Sequence, residues 1–194
     1  MTMNYDLRSY AKVYKGFLDK KTCEDTLSQI KYANFDQHKF YNHSTGVIAP
    51  VSGENELDYF IDSSNKRIRN SNLLIDKIWH GIKQYQIDLN LPWYDSWEGF
   101  SAIKYNRYTE NKMMALHIDH IKSLFEGERR GVPVLTCLGL LNDDYLGGEF
   151  IMWGDEIIDI RQGDMLIFPS NFMYPHQVAP VKSGTRYSYI SWVW

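Results

Sequence analysis

The C-terminal half of the chain is a succession of short β-type segments separated by turn signals. From residue 99 onward, runs of apolar, β-branched and aromatic side chains alternate with glycine, proline and the Asn142-Asp143 pair. Such segments are typical of a double-sheet β-barrel, in which short strands pair with neighbours on either side. The predicted strands are 99–105, 116–119, 132–141, 149–153, 157–160, 165–169, 173–178 and 186–194.

The N-terminal half has a different pattern. A short apolar stretch at 13–17 predicts a strand, and apolar residues at helical spacing predict helices over about 19–32 and 71–85. Between the helices, the segment 36–70 mixes Gly, Pro, Asn and Ser with isolated aromatic residues. It is predicted to be a long mobile loop or hairpin, of a length that is usually functional in a compact domain.

These patterns together predict an α+β fold that is mainly β. We expect a double-stranded β-helix (jelly-roll) core with N-terminal supporting helices packed outside it. We expect a single domain over 1–194, with helical support and a lid segment in 1–95 and the jelly-roll core in 96–194. A chain of 194 residues is long enough to bury a sizeable core.

The composition is that of a folded protein, with 44% apolar and 23% charged residues. The net charge of −3 does not favour nucleic acid or an anionic membrane as a partner. The N-terminus lacks the pattern of a signal peptide, and the longest apolar run, 132–141, is too short to span a bilayer, so we expect a cytoplasmic protein. Cys23 and Cys137 have no disulfide or zinc spacing and are expected to be buried apolar residues.

Two histidines and one aspartate form a candidate metal site. His117 and Asp119 are two residues apart, so in a strand they point to the same face, whereas His120 points to the other. His176, in a later strand, can supply a third ligand to the same interior. Structural zinc usually has four protein ligands, whereas two histidines and one carboxylate with open positions match non-haem ferrous iron. Taken alone the signal is modest, because a lone buried histidine is more often a hydrogen-bonded core residue than a ligand.

Arg186 follows ten residues after His176. A guanidinium can give a carboxylate two parallel charge-assisted hydrogen bonds, so an arginine near such a metal suits an anionic co-substrate. The alternative is an ordinary surface salt bridge.

Further motifs occur in one order along the chain. They are Ala102-Ile103-Lys104-Tyr105, His117-Ile118-Asp119, Leu141-Asn142-Asp143-Asp144, Leu146-Gly147-Gly148-Glu149-Phe150, Gly163-Asp164-Met165-Leu166-Ile167-Phe168-Pro169 and His176-Gln177-Val178-Ala179-Pro180-Val181, with Arg130, Thr136, Gly184, Arg186, Ser188 and Trp192 at their places between and after them. With these motifs the chain resembles the prolyl 4-hydroxylase-like branch of the 2-oxoglutarate and iron(II)-dependent dioxygenases over most of its length.

The resemblance implies a role for each site residue. His117, Asp119 and His176 would hold Fe(II) and so be the catalytic centre, and Arg186 would bind the distal carboxylate of 2-oxoglutarate. Tyr105 and Thr136 match positions that line the co-substrate pocket. The chain departs from some relatives at Leu140 and Met114, where tyrosines occur.

The same resemblance implies Fe(II), 2-oxoglutarate and O2 as cofactor and co-substrates, with ascorbate as a further cofactor. The carboxylate of Asp119 favours hydroxylation, since halogenating relatives have a small residue there. The expected reaction is hydroxylation of peptidyl proline with release of succinate and CO2. The expected partner is a proline-containing peptide or protein, and aromatic residues suited to a peptide groove are Tyr41, Tyr59, Phe60, Trp153 and Tyr174.

Two alternatives remain open at this stage. One is an oxygenase of the same fold that acts on a small molecule or nucleobase. The other is a non-catalytic jelly-roll binding module, which would have no use for Arg186.

Overall fold

In the computed structural model, fifteen strands and two α-helices are found in the part of the chain that the structure describes, which is residues 6–42, 44–63, 67–90, 99–119 and 131–194. The helices are α1, Lys20–Ile30, and α2, Ser71–Leu89, with short 3-10 helices at Leu7–Tyr10 and Gly53–Asn55. The strands are β1 Lys12–Tyr14, β2 Asp36–Gln37, β3 Phe40–Asn42, β4 Val47–Ala49, β5 Asp58–Ile61, β6 Lys104–Tyr108, β7 Met114–His117, β8 Leu135–Leu140, β9 Tyr145–Gly147, β10 Phe150–Met152, β11 Glu156–Ile157, β12 Met165–Pro169, β13 His176–Val178, β14 Val181–Gly184 and β15 Arg186–Val193.

Two antiparallel sheets face each other. The major sheet has seven strands in the order β1-β12-β8-β15-β6-β5-β2, and the minor sheet has four in the order β11-β10-β13-β7. Two small two-stranded sheets, the β14-β9 pair and the hairpin β3-β4, complete the architecture of the described residues. Most neighbours in both sheets are far apart in sequence, such as β1 and β12 or β7 and β13, as in a jelly roll. The predicted fold class is confirmed.

Local signals mark the start of α1 and the end of α2. Asp19 caps α1 by accepting a hydrogen bond from the Thr22 backbone N–H at 2.7 Å. Asn90, in the left-handed conformation at φ 50°, ends α2. The buried residues of α2 recur at helical spacing, and the helix packs on the sheet as predicted: Leu74, Ile78, Gly81, Ile82 and Tyr85.

The major sheet separates two hydrophobic cores because side chains alternate between its faces. The outer core joins α1 and α2 to one face, including Cys137 of β8 and Ile167 of β12. The inner core fills the space between the two sheets, including Leu138 of β8 and Phe168 of β12. Cys23 and Cys137 are free and fully buried in the outer core, so their prediction is confirmed.

The segment 36–70 differs from its prediction. It contains the hairpin β3-β4, but it also supplies β2 and β5, and β5 pairs with β6 along four residues to extend the major sheet. These strands are short and irregular in sequence, so alternation could not identify them. The first core strand is β6, Lys104–Tyr108, where a strand over 99–105 was predicted.

Two further strands, β9 and β14, were not predicted, and they pair only with each other. Among the described residues, no helix is long and apolar enough to cross a membrane.

Candidate metal centre

His117, Asp119 and His176 come together between the two sheets. Their ligand atoms all lie within 4.8 Å of one another, and Oδ1 of Asp119 is 3.5 Å from His117 Nε2 and 3.7 Å from His176 Nε2. Strand pairing fixes this arrangement, because β7 and β13 are antiparallel neighbours with His117 opposite His176. Asp119 follows two residues after the end of β7, whereas His120 lies outside the described residues.

Both imidazoles are held in the same way. Nδ1 of His117 lies 2.8 Å from the Ala115 carbonyl oxygen, and Nδ1 of His176 lies 3.0 Å from that of Tyr174. A proton on Nδ1 donated to these carbonyls leaves the Nε2 lone pairs free, and both Nε2 atoms face Asp119. Such hydrogen bonds fix ring orientation in protein metal sites.

The electrostatics suit a cation. Burial lowers the pKa of His176 to about 4, and neighbouring His117 adds to this shift, so at neutral pH His176 is an uncharged ligand. Burial acts to raise the pKa of Asp119, but the two imidazoles and the Thr136 hydroxyl outweigh it and hold that pKa well below its usual range. The site therefore offers two imidazole nitrogens and one carboxylate, the donor set of non-haem ferrous iron.

Thr136 holds the carboxylate of Asp119. Its hydroxyl donates to Oδ2 of Asp119 and lies 2.6 Å from the Ser170 hydroxyl. Both hydroxyl side chains are buried. The structure thus places Thr136 beside a candidate metal ligand, where it orients the carboxylate.

Arg186 lies fully buried at the start of β15. Its Nη1 donates to the Ser188 hydroxyl at 3.3 Å, and the hydroxyls of Tyr108 and Tyr145 lie near the guanidinium. By distance and angle, Nε and Nη2 make no hydrogen bond to the described residues. The guanidinium lies 4.9 Å from the ring centroid of Tyr108, and a Cβ on Gly148 would come within 2.9 Å of its Cδ. A buried cation with unused, adjacent donors fits a carboxylate.

The structure does not bring Tyr105 to the guanidinium of Arg186. Its hydroxyl lies 2.8 Å from the Ser71 hydroxyl at the start of α2, and its ring stacks on Phe60 in the outer core. The side chain on the inner face is Tyr108, three residues later on β6, which packs against Arg186. Sequence reasoning missed Tyr108 although the alternation of β6 was available, because the face that turned inward depended on where the helices packed.

A cleft of about 720 Å³ opens onto the metal site. Asp119, Lys104 and Trp192 line it from the barrel, and residues of the 36–70 segment line its other side. Of the residues predicted for a peptide groove, Tyr41 and Tyr59 line this cleft, whereas Phe60 belongs to the outer core. Trp153 and Tyr174 pack against each other with ring centroids 5.8 Å apart and are not part of the cleft lining.

Comparison with known proteins finds similarity to one family over the C-terminal half of the chain. Residues 103–194 match the model of the 2OG-Fe(II) oxygenase superfamily, a range that contains His117, Asp119, His176 and Arg186. The resemblance that the motifs indicated is thereby confirmed for this part of the chain.

Individual relatives agree with this class. A PKHD-type hydroxylase of Idiomarina loihiensis is 33% identical over 96 residues, which cover 48% of this chain and 42% of that protein, so the chain spans less than half the length of this curated relative. A prolyl hydroxylase of Trichoplax adhaerens, solved with a peptide of hypoxia inducible factor, has a TM-score of 0.73 at 16% identity over 96% of this chain and 84% of that one. A viral collagen prolyl hydroxylase of Paramecium bursaria Chlorella virus-1, solved with 2OG, has a TM-score of 0.62 at 17% identity over 95% and 94%. At such low identity the solved structures show a shared fold.

Proposed function

We propose that this protein is a 2-oxoglutarate and Fe(II)-dependent dioxygenase. One observation carries the proposal: a two-histidine, one-carboxylate cluster and a buried guanidinium with unused donors face the same barrel interior. A binding module has no need of either group, because burying an unpaired cation is unfavourable unless a ligand compensates it.

Each residue has a distinct part in this function. His117, Asp119 and His176 hold Fe(II), and Thr136 keeps the carboxylate of Asp119 oriented. When bound, iron and 2-oxoglutarate supply the oxidising chemistry that hydroxylates a C–H bond with release of succinate and CO2.

Arg186 binds the distal carboxylate of 2-oxoglutarate in this proposal, with Tyr108 forming one wall of the pocket. Burial raises the pKa of Tyr108 to about 12, so its hydroxyl keeps its proton and remains a hydrogen-bond donor.

We further propose that the substrate is a proline residue of a peptide or protein. The cleft is lined by apolar and aromatic side chains of the barrel and of the β3 region, which suit an extended proline-containing segment. The names of the related PKHD-type and prolyl hydroxylases support this choice over a nucleobase or other small molecule.

Two measurements test these proposals in turn. Anaerobic titration with ferrous iron and then 2-oxoglutarate is expected to produce the visible absorption band of the iron chelate. Absence of the band in the folded protein would remove the oxygenase proposal. Succinate release stimulated by proline-containing peptides, with a mass gain of one oxygen atom on proline, tests the substrate. Stimulation by a non-proline compound instead, with the oxygen on that compound, would replace the proline proposal and leave the oxygenase intact.

A further inference from the structure

The cleft contains a buried lysine that the proposed chemistry does not use. Lys104, at the start of β6, is only 6% exposed, and it lines the same cleft as Asp119. Its neighbours across the sheet are Ile61 on β5 and Ile190 on β15, which offer no charge. A lysine is seldom buried to this extent unless it is paired.

The contacts of Lys104 are with aromatic rings. Its Nζ lies 4.9 Å from the ring centroid of Tyr59 and 5.8 Å from that of Trp192, and both rings line the cleft. Within the described part of the chain, no carboxylate lies within 4.0 Å of this ammonium and no hydrogen bond from it is formed. Rings attract a cation but accept no full set of hydrogen bonds, so the three N–H donors remain available to a ligand.

Nearby acids do not neutralise Lys104 by contact. Burial lowers its pKa to about 8, and the charges of Asp119 and Glu56 oppose that shift from a distance. The group therefore remains largely protonated at neutral pH. Asp119 is committed to the metal in the proposed function, so its charge is compensated there.

Of the two lysines that line the cleft, Lys104 is the buried one. The other charged residues that line it, besides Asp119, are Asp36 and Lys39, and both are exposed at its rim. His38 lines the cleft as well, but burial, with the charges of Lys104 and His117, lowers its pKa to about 3 and leaves it neutral.

We propose that Lys104 recognises a carboxylate of the substrate. An anion bound between the two rings would take up the free donors and supply the missing countercharge in a partly desolvated site. The inference rests on the proposed oxygenase function and narrows its substrate class: the molecule hydroxylated has a carboxylate near the target carbon. That carboxylate is either an acidic residue beside a peptidyl proline or the α-carboxylate of a free amino acid.

Matched acid and amide probes test this inference. The tripeptides Ala-Pro-Glu and Ala-Pro-Gln, each with an amidated C-terminus, form one pair, and L-proline and L-prolinamide form the other. For each probe, KM is measured from stimulated succinate release, and anaerobic calorimetric binding to the protein loaded with iron and 2-oxoglutarate records probes that bind without being hydroxylated. We expect the acid of at least one pair to bind roughly tenfold or more tightly than its amide.

Three variants test whether the preference for the acid depends on Lys104. Lys104→Met keeps the length of the side chain without its charge, and it is expected to weaken binding of the acid until it equals the amide. Lys104→Arg should retain a preference for the acid. Lys20→Met removes an equal charge from the exposed surface of α1, outside the cleft, and should behave like the wild type.

The outcomes are distinguishable. Preference in the tripeptide pair identifies an acidic peptide, whereas preference in the second pair identifies a free amino acid. Equal binding of acid and amide in both pairs, no binding of either acid, or a preference that survives Lys104→Met would overturn the role of Lys104. So would a raised KM for 2-oxoglutarate in Lys104→Met, since the lysine would then serve the co-substrate. Acid-selective binding without hydroxylation of proline would instead contradict the proline substrate while supporting Lys104.

Discussion

The two faces of the major sheet are built from the same strands but hold different chemistry. On the outer face, Cys137, Ile167 and Tyr189 pack with the helices in a continuous apolar core. On the inner face, alternate residues of the same strands include Thr136 and Arg186, which are buried and polar. Burial is complete on both faces, so burial alone does not distinguish them.

The difference lies in how polar groups are satisfied. Tyr105 on the outer face has its hydroxyl paired with Ser71, and Ser71 in turn donates to Asp62 at 2.8 Å. On the inner face, and within the part of the chain that the structure describes, two nitrogens of Arg186 have no hydrogen-bond partner and the ammonium of Lys104 contacts only rings. The Tyr189 hydroxyl on the outer face also lacks a hydrogen bond within the described residues, but it is neutral. The unpaired donors of the inner face belong to cations, which indicates a place for an anionic ligand.

Replacing an outer-face residue should have the largest effect on stability and none on the site. Ile82→Ala in α2 removes a fully buried side chain and is expected to lower the free energy of unfolding by about 2–5 kcal/mol, measured by urea denaturation. Iron titration of the folded variant should match the wild type. The control Ile87→Ala, at a position 69% exposed on the same helix, should change stability by less than about 0.5 kcal/mol. Lost iron binding in folded Ile82→Ala would contradict the separation of the faces.

Replacing Arg186 on the inner face should weaken co-substrate binding and have little effect on stability. Arg186→Gln is expected to cost co-substrate binding about 1.5–3 kcal/mol, which raises the 2-oxoglutarate requirement at least roughly tenfold. Stability in urea should not fall as it does in Ile82→Ala, because the substitution removes a buried charge without a partner. The exposed Arg161, changed to Gln, serves as the control. An unchanged requirement for 2-oxoglutarate would rule out this role of Arg186.

A smaller inner-face effect is expected at the hydroxyl that holds Asp119. Thr136→Val keeps the shape of the side chain but removes the hydrogen bond to the carboxylate, and iron affinity should fall about 10–100-fold. Anaerobic iron titration measures it. Ser170→Ala, one hydroxyl further away, should lower the affinity less. Equal affinity in Thr136→Val and wild type would show that Asp119 needs no such support.

The two tyrosines of β6 give the smallest and most direct contrast. Tyr105→Phe removes an outer-face hydrogen bond and should lower the free energy of unfolding by about 0.5–1.5 kcal/mol with no change in KM for 2-oxoglutarate. Tyr108→Phe, on the inner face beside Arg186, should raise that KM. Steady-state kinetics measure KM for 2-oxoglutarate in both variants. A raised KM in Tyr105→Phe with an unchanged KM in Tyr108→Phe would support the sequence-based assignment of Tyr105.

The sequence alone predicted much of this protein. Alternation and turn residues identified the strands that hold His117, His176 and Arg186, since these strands are regular and flanked by clear signals. The spacing of His117 and Asp119, with the ordered motifs, indicated the metal cluster before any coordinates. Such patterns are local, so they can be read without knowledge of the neighbours in space.

Only the tertiary structure decided which face of each strand turns inward and which segments complete the sheet. Alternation shows that Lys104 and Tyr108 share a face of β6. The packing of the helices on the other face determined that these two residues, rather than Tyr105, face the space between the two sheets. Strand β5 joins the sheet by pairing with β6. In this pairing Ile61 lies opposite Lys104, which is forty-three residues later in the sequence, and no local pattern encodes such a contact. Within the described residues, Lys104 is buried without a carboxylate in contact. This is likewise a property of the assembled barrel, because whether a charge has a partner depends on residues brought together from distant parts of the chain.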